Sequence, residues 1–195
     1  MIDLYTWTTT NSRRGIIMCE ESGLPYKINW VNIQKGDQKA EGYEKINPYR
    51  RVPALIDSDG PGGKPANVFE SVAICFYLAE KTKKFLGTAE THPDVLKWSM
   101  FHATNVLSLL GNLGRIEDPS ILSGSQKLFD VMEKHLAGKD WFAGDYSIAD
   151  IIPYTRIAGV KHDVLKVADY PNVAAWLARV GARPAVKKAM DVKPA

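Results

Sequence analysis

The hydrophobic pattern of this 195-residue chain changes once, just after Gly87, and that change restricts it to a two-part fold. Before it, runs that alternate apolar and polar side chains are interleaved with helical runs; after it, apolar residues recur only at helical spacing. Ile2-Asp3-Leu4-Tyr5 reads as a strand, and residues 12–22 read as a helix with Asn11 or Ser12 at its cap and Gly23-Leu24-Pro25 closing it. Residues 26–31 form a second, half-buried strand, and the polar stretch 34–45 is irregular or weakly helical. Val52-Pro53-Ala54-Leu55-Ile56-Asp57 is a third strand with proline at its start, where a missing N–H costs least. Asn67-Val68-Phe69 is a short fourth strand, and residues 71–82 are a strongly apolar helix. This βαβ unit, hairpin and closing helix give a compact mixed sheet with helices packed on it. Beyond a linker at 84–92, residues 92–113, 120–136, 147–160, 172–181 and 184–190 are helical. The expectation is an α/β domain over residues 1–84 followed by an all-α helical bundle over 88–195.

Composition narrows the function classes. A net charge of +3, with basic and acidic residues interleaved, argues against a dedicated nucleic-acid partner. Arg13-Arg14 and Arg50-Arg51 are the basic pairs, read as solvated surface arginines with a small-anion site as the alternative. The two cysteines, Cys19 and Cys75, sit in apolar helical contexts as small buried hydrophobes, and no Cys-x-x-Cys exists for dithiol redox chemistry. His92, His102, His135 and His162 show no metal-ligand spacing, so no metal is expected. The N-terminus is polar too early for a signal peptide, and no apolar run is long enough to span a bilayer. A cytoplasmic setting with no membrane partner is the default.

Four local motifs bear on chemistry. Thr9-Thr10-Asn11 lies between the first strand and the first helix, where backbone N–H groups and the helix dipole converge, so hydroxyl and amide donors there can hold an anion such as a ligand's thiolate. Glu70-Ser71 opens the second helix: a hydroxyl at the positive dipole end suits a carboxylate and the adjacent carboxylate suits an ammonium, which together match an amino-acid zwitterion. Capping alone is the alternative for Ser71. Arg51-Val52-Pro53 admits a cis bond that turns the Val52 N–H and C=O outward toward a peptide-like ligand. Ser147-Ile148-Ala149-Asp150 is a capping box preceded by Tyr146 as a staple residue, and its role is structural. Gly60-Pro61-Gly62-Gly63-Lys64 fails as a phosphate loop, because Pro65 follows the lysine, and reads instead as a hairpin loop.

Together the thioredoxin-like βαβ–ββα half, the Val-Pro strand start, the Phe-Glu-Ser helix start, the helical second half and the capping box resemble the glutathione S-transferase superfamily. The stretch Tyr5 to Asn11, with Gln38, Arg51-Val52-Pro53 and Glu70-Ser71, is most similar to its bacterial Nu class. That resemblance implies glutathione as co-substrate, a twofold homodimer, and disulfide reduction or transfer of glutathione to an electrophile. It implies Thr9 and Asn11 at the glutathione sulfur as the catalytic pair, and Glu70 and Ser71 at the γ-glutamyl end. The Val52 backbone before Pro53 would pair with the cysteinyl unit, and Gln38 and Arg51 would reach the glycyl carboxylate. Donors to the charged form lower the thiol pKa toward neutrality.

The connection from Leu113 to Ser125 is shorter than such proteins usually have, and the chain stops soon after Met190. Trp7, Trp98, His102 and Arg115 are the candidates to line a second-substrate pocket, with packing or surface roles as the alternative. Two other readings compete with a reductase: addition of glutathione to an electrophile, and a non-enzymatic assembly or binding module built on the same fold.

Overall fold

The computed structural model describes residues 1–160, 163 and 165–194. His162, one of the four histidines read for metal spacing, lies outside the described residues. The chain divides into two compact units, residues 1–82 with 184–195 and residues 83–183.

In the first unit, strand β1 (Ile2–Thr6) leads into helix α1 (Thr10–Ser22), followed by β2 (Tyr26–Trp30), β3 (Ala54–Asp57), β4 (Ala66–Phe69) and helix α2 (Ser71–Thr82). The sheet order is β2-β1-β3-β4. β1 runs parallel to β2, with Ile2 opposite Tyr26, and antiparallel to β3, with Leu4 opposite Leu55; β3 pairs antiparallel with β4. This is the thioredoxin-like arrangement expected from the order of elements. Alternation on β1 buries Ile2, Leu4 and Thr6, and the core continues through Ile16, Ile17, Met18, Leu55, Ile74 and Leu78. Each such buried aliphatic side chain contributes roughly 1.5–3 kcal/mol.

Two boundaries differ from the sequence reading for local reasons. Helix α1 starts two residues early because Thr9 is its cap: the Thr9 hydroxyl oxygen accepts from the Ser12 N–H at 3.2 Å, which puts Asn11 inside the first turn. Gly23 closes that helix as expected, at φ +71°. β3 starts at Ala54 rather than Val52, because Pro53 has no N–H to give to a ladder. The stretch 34–45 holds two short 3₁₀ turns, Asp37–Lys39 and Tyr43–Lys45. The glycine-rich segment is a hairpin loop between β3 and β4, where a Cβ at Gly60 would lie 2.7 Å from the Lys64 carbonyl oxygen.

The basic pair at the start of α1 is not solvated. Arg13 and Arg14 are both buried, whereas Arg50 and Arg51 are exposed as read. Arg13 Nη1 donates to the carbonyl oxygens of Ala189, at 2.8 Å, and Val192, at the end of helix α8 (Pro184–Asp191). A cation at a helix C-terminus satisfies orphan carbonyls and complements the dipole. With Lys188 paired to Glu20 at 2.8 Å, this groups 184–195 with the sheet unit, although the sequence reading assigned 88–195 together.

The second unit is helical: α3 (His92–Phe101), a π turn (His102–Val106), α4 (Leu107–Asn112), α5 (Pro119–Leu136), α6 (Ile148–Ala158) and α7 (Pro171–Gly181). The run read as one helix over 92–113 is thus interrupted by the π turn. The capping box at Ser147 is present in both directions. Its Asp150 does more than cap. One carboxylate oxygen accepts from the Phe142 N–H at 3.1 Å and from the Trp176 indole at 2.9 Å, the other from the Ser147 N–H at 3.0 Å. Burial nevertheless dominates and pushes its pKa up to about 6.

Candidate functional site

The start of α1, the segment before β3 and the start of α2 converge on one cleft of about 160 Å³, lined by Asn11, Asn47, Tyr49, Arg51, Val52, Pro53, Glu70 and Ser71. Six of the eight residues singled out in the sequence line it; Thr9 and Gln38 do not. Convergence follows from the sheet. β3 lies between β1 and β4, with Ala54 opposite both Tyr5 and Phe69, so the chain entering β3 emerges beside the ends of its two neighbours. A side chain at Gly15 would meet Pro53 Cβ at 3.6 Å, which seats Pro53 against α1 one turn from Asn11.

The Val52–Pro53 bond is cis, and Val52 precedes the ladder that begins at Ala54. Its backbone is fixed from behind by residues the sequence did not single out. The Arg51 carbonyl accepts from Asn47 Nδ2 at 2.9 Å and from the Tyr43 hydroxyl at 3.0 Å. Asn47 Oδ1 in turn accepts from the Tyr49 N–H at 2.9 Å. The Arg51 guanidinium lies 4.5 Å from the Tyr49 ring centroid, leaving a cation on the rim of the cleft.

Glu70 is exposed and holds φ +71°, a left-handed conformation rare for a residue with a Cβ. The next residue, Ser71, opens α2 and is 6% exposed. Its hydroxyl oxygen accepts from Arg14 Nη1, so its O–H is the group left to donate outward. The same guanidinium nitrogen reaches Asn11 Oδ1 at 3.4 Å, which directs the Asn11 amide N–H groups away from Arg14. Arg14 stands 57 residues from Ser71 in sequence, and no periodicity announces such a contact.

Thr9 spends its hydroxyl locally: it donates to Ser12 Oγ at 3.0 Å and accepts from the Ser12 N–H. Gln38 sits in the 3₁₀ turn Asp37–Lys39, and its buried Oε1 has no partner among the described residues. Of the second-substrate candidates, Trp98 and His102 pack in an aromatic cluster with Phe101 and Phe142, Arg115 is exposed, and Trp7 stands edge-on to Trp30. Cys19 and Cys75 are buried free thiols; burial raises both pKa values, that of Cys75 to about 12. Among the described residues no group of three or more His, Cys, Asp or Glu side chains is placed to hold a metal ion, and no helix is long and apolar enough to cross a membrane.

Comparisons with known proteins identify the family. A family model for the glutathione S-transferase N-terminal domain matches residues 10–81, and one for the glutathione S-transferase C-terminal domain matches residues 121–191. The disulfide-bond oxidoreductase YfcG of Escherichia coli is 32% identical over 203 residues, covering 97% of this chain and 94% of the relative. A glutathione transferase from Pseudomonas putida, solved with one glutathione disulfide per subunit, has a TM-score of 0.93 at 30% identity, over 99% of this chain and 92% of that one. A glutathione transferase family member from Pseudomonas fluorescens, solved with two glutathione bound, has a TM-score of 0.91 at 31% identity, over 97% and 92%. The chain therefore belongs to the glutathione S-transferase superfamily, and its similarity to the bacterial disulfide-bond oxidoreductases sets it on the Nu-like branch.

Proposed function

We propose that this protein is an enzyme that binds glutathione in the Asn11–Ser71 cleft and uses its thiolate to reduce small disulfides. The observation that carries the reading is the cleft itself, which gathers complementary groups for each part of one tripeptide. Glu70 takes the γ-glutamyl ammonium, while the Ser71 hydroxyl and the start of α2 take its carboxylate. The Val52 backbone pairs with the cysteinyl unit, and Arg51, with Gln38, reaches the glycyl carboxylate. The thiolate lies at the start of α1 and accepts from the Asn11 amide. Thr9 reaches the sulfur only by releasing Ser12, and otherwise acts as the cap that holds Asn11 in place.

The reaction is exchange between ligand thiols. A glutathione thiolate attacks one sulfur of the disulfide; that S–S bond breaks, a mixed disulfide forms, and the departing thiolate takes up a proton. A second glutathione thiolate attacks the mixed disulfide, releasing the other thiol and leaving glutathione disulfide. Related structures holding two glutathiones or one glutathione disulfide support a site with room for both partners. Transfer to an electrophile draws on the same thiolate, and assaying an aryl halide beside a small disulfide separates the two reactions. A twofold homodimer in the reducing cytoplasm belongs to the same proposal, and a stable monomer in sedimentation at micromolar concentration removes its dimer part.

Ser71→Ala tests the binding site. Losing a hydroxyl that donates to a charged group costs roughly 1.5–3 kcal/mol, about tenfold or more in glutathione affinity. Calorimetry that finds unchanged affinity in the folded variant rejects the assignment.

A further inference from the structure

We propose that Arg14 is the positioning residue that ties the thiol end of bound glutathione to its γ-glutamyl end, a proposal that rests on the glutathione reading above. Its guanidinium is fully buried, and a single nitrogen, Nη1, donates both to Asn11 Oδ1 at 3.4 Å and to Ser71 Oγ. Those two side chains are assigned to adjacent units of the ligand, the cysteinyl thiol and the γ-glutamyl carboxylate, and come from different helices, α1 and α2. By occupying the Asn11 carbonyl oxygen, Arg14 turns the amide hydrogens to the cleft. By occupying the Ser71 oxygen, it leaves the Ser71 O–H to point at a carboxylate. Each acceptor is thereby converted into an outward donor, the polarity an anionic ligand requires.

Arg14 touches no ligand atom in this scheme; it acts through its two partners. A positioning role therefore predicts coupling, whereas a merely structural role predicts independent losses. Arg14→Gln is expected to weaken glutathione binding about tenfold, as loss of the Ser71 donor does, and to raise the thiol pKa of bound glutathione by about 1. Adding Ser71→Ala to Arg14→Gln then costs less than about threefold more, and adding Asn11→Ala moves the thiol pKa little further. Arg14→Lys, whose single terminal nitrogen can donate to both partners, recovers most of both properties.

Calorimetry for affinity and ultraviolet titration of the bound thiolate supply the two readouts, with circular dichroism to establish folding. Strictly additive losses in the double variants, or Arg14→Lys as impaired as Arg14→Gln, overturn the proposal. If Arg14→Gln does not fold, the cycles are run on Arg14→Lys, where Ser71→Ala and Asn11→Ala must act at wild-type strength; weaker effects there overturn it equally. Wild-type protein that fails to bind glutathione rejects the glutathione reading and this proposal together. Normal wild-type binding with additive variants rejects only the role of Arg14.

Discussion

Glu70 holds a left-handed backbone angle in a position that a glycine would occupy without cost. An L-residue there is destabilising by about 1 kcal/mol or somewhat more, and such strain is characteristic of sites where side-chain chemistry is needed. Glu70→Gly is accordingly expected to raise the unfolding free energy by about 1 kcal/mol while abolishing measurable glutathione binding. Denaturant titration and calorimetry on the same sample check both halves; a variant that loses stability, or one that still binds at wild-type strength, contradicts the assignment. At this scale the site was partly legible. Glu70-Ser71 and Val52-Pro53 are neighbours in sequence, and their chemistry is stated by the residue types alone. Arg14 was not legible, because its burial depends on partners 57 residues away, and a pair of arginines at a helix start looks the same whether solvated or enclosed. Thr9 was legible as a polar group ahead of α1 but not as its cap, since Thr9, Asn11 and Ser12 all have capping chemistry.

The elements were legible wherever local chemistry is decisive. Gly23 ends α1, Ser71 begins α2, and Ser147 with Asp150 opens α6, each by a mechanism confined to a few residues. The π turn His102–Val106 carried no such signal, because its residues keep the apolar spacing of the helices on either side. Asp150 shows what an element gains from tertiary contact. Burial raises its pKa to about 6, against the bonds from Phe142, Trp176 and Ser147 that favour the charged form. Because the folded pKa lies above the unfolded one, the protonated carboxyl is the form that folding favours. Its contribution to stability is complete below about pH 4 and is lost as pH rises through about 6, a change of about 3 kcal/mol. Asp150→Asn should flatten this part of the stability–pH profile. It should also destabilise the protein by about 2 kcal/mol, because the amide puts an NH2 group in place of one of the two oxygens that the Phe142, Trp176 and Ser147 N–H groups face. Thermal unfolding of both proteins between pH 4 and 7 measures the difference; parallel profiles would mean that Asp150 titrates no differently in the folded state.

At the scale of the whole molecule, the change of hydrophobic period near Gly87 located the passage from sheet to helices, but not the return of the chain at its end. Residues 184–190 carry a helical pattern that says nothing about which surface receives it; the buried Arg13, binding the last carbonyls of α8, supplies that information only in three dimensions. The arrangement also decides where thiol chemistry is possible. Cys19 and Cys75, the only cysteines in the chain, are enclosed in the core of the sheet unit with raised pKa values, so neither is available as a thiolate nucleophile near neutral pH. In the proposed reaction, electrons for disulfide reduction come from two glutathione molecules, and the protein's contribution is to hold one of them as thiolate. The Cys19→Ala/Cys75→Ala protein is therefore expected to keep its turnover of a small disulfide within about twofold, with a stability loss of about 1 kcal/mol per site from the vacated core volume. Asn11→Ala, by contrast, is expected to displace the acidic limb of the pH–rate profile upward by about 1 and to slow turnover about tenfold at pH 7, because less of the bound thiol is ionised there. Thr9→Ala, which removes a cap rather than a free donor, should act more weakly on that limb. Steady-state rates with a small disulfide across pH 5–9, at saturating glutathione, distinguish these cases. Loss of activity in the cysteine-free protein would require a protein thiol in the exchange, and an unshifted profile in Asn11→Ala would move the thiolate away from the start of α1.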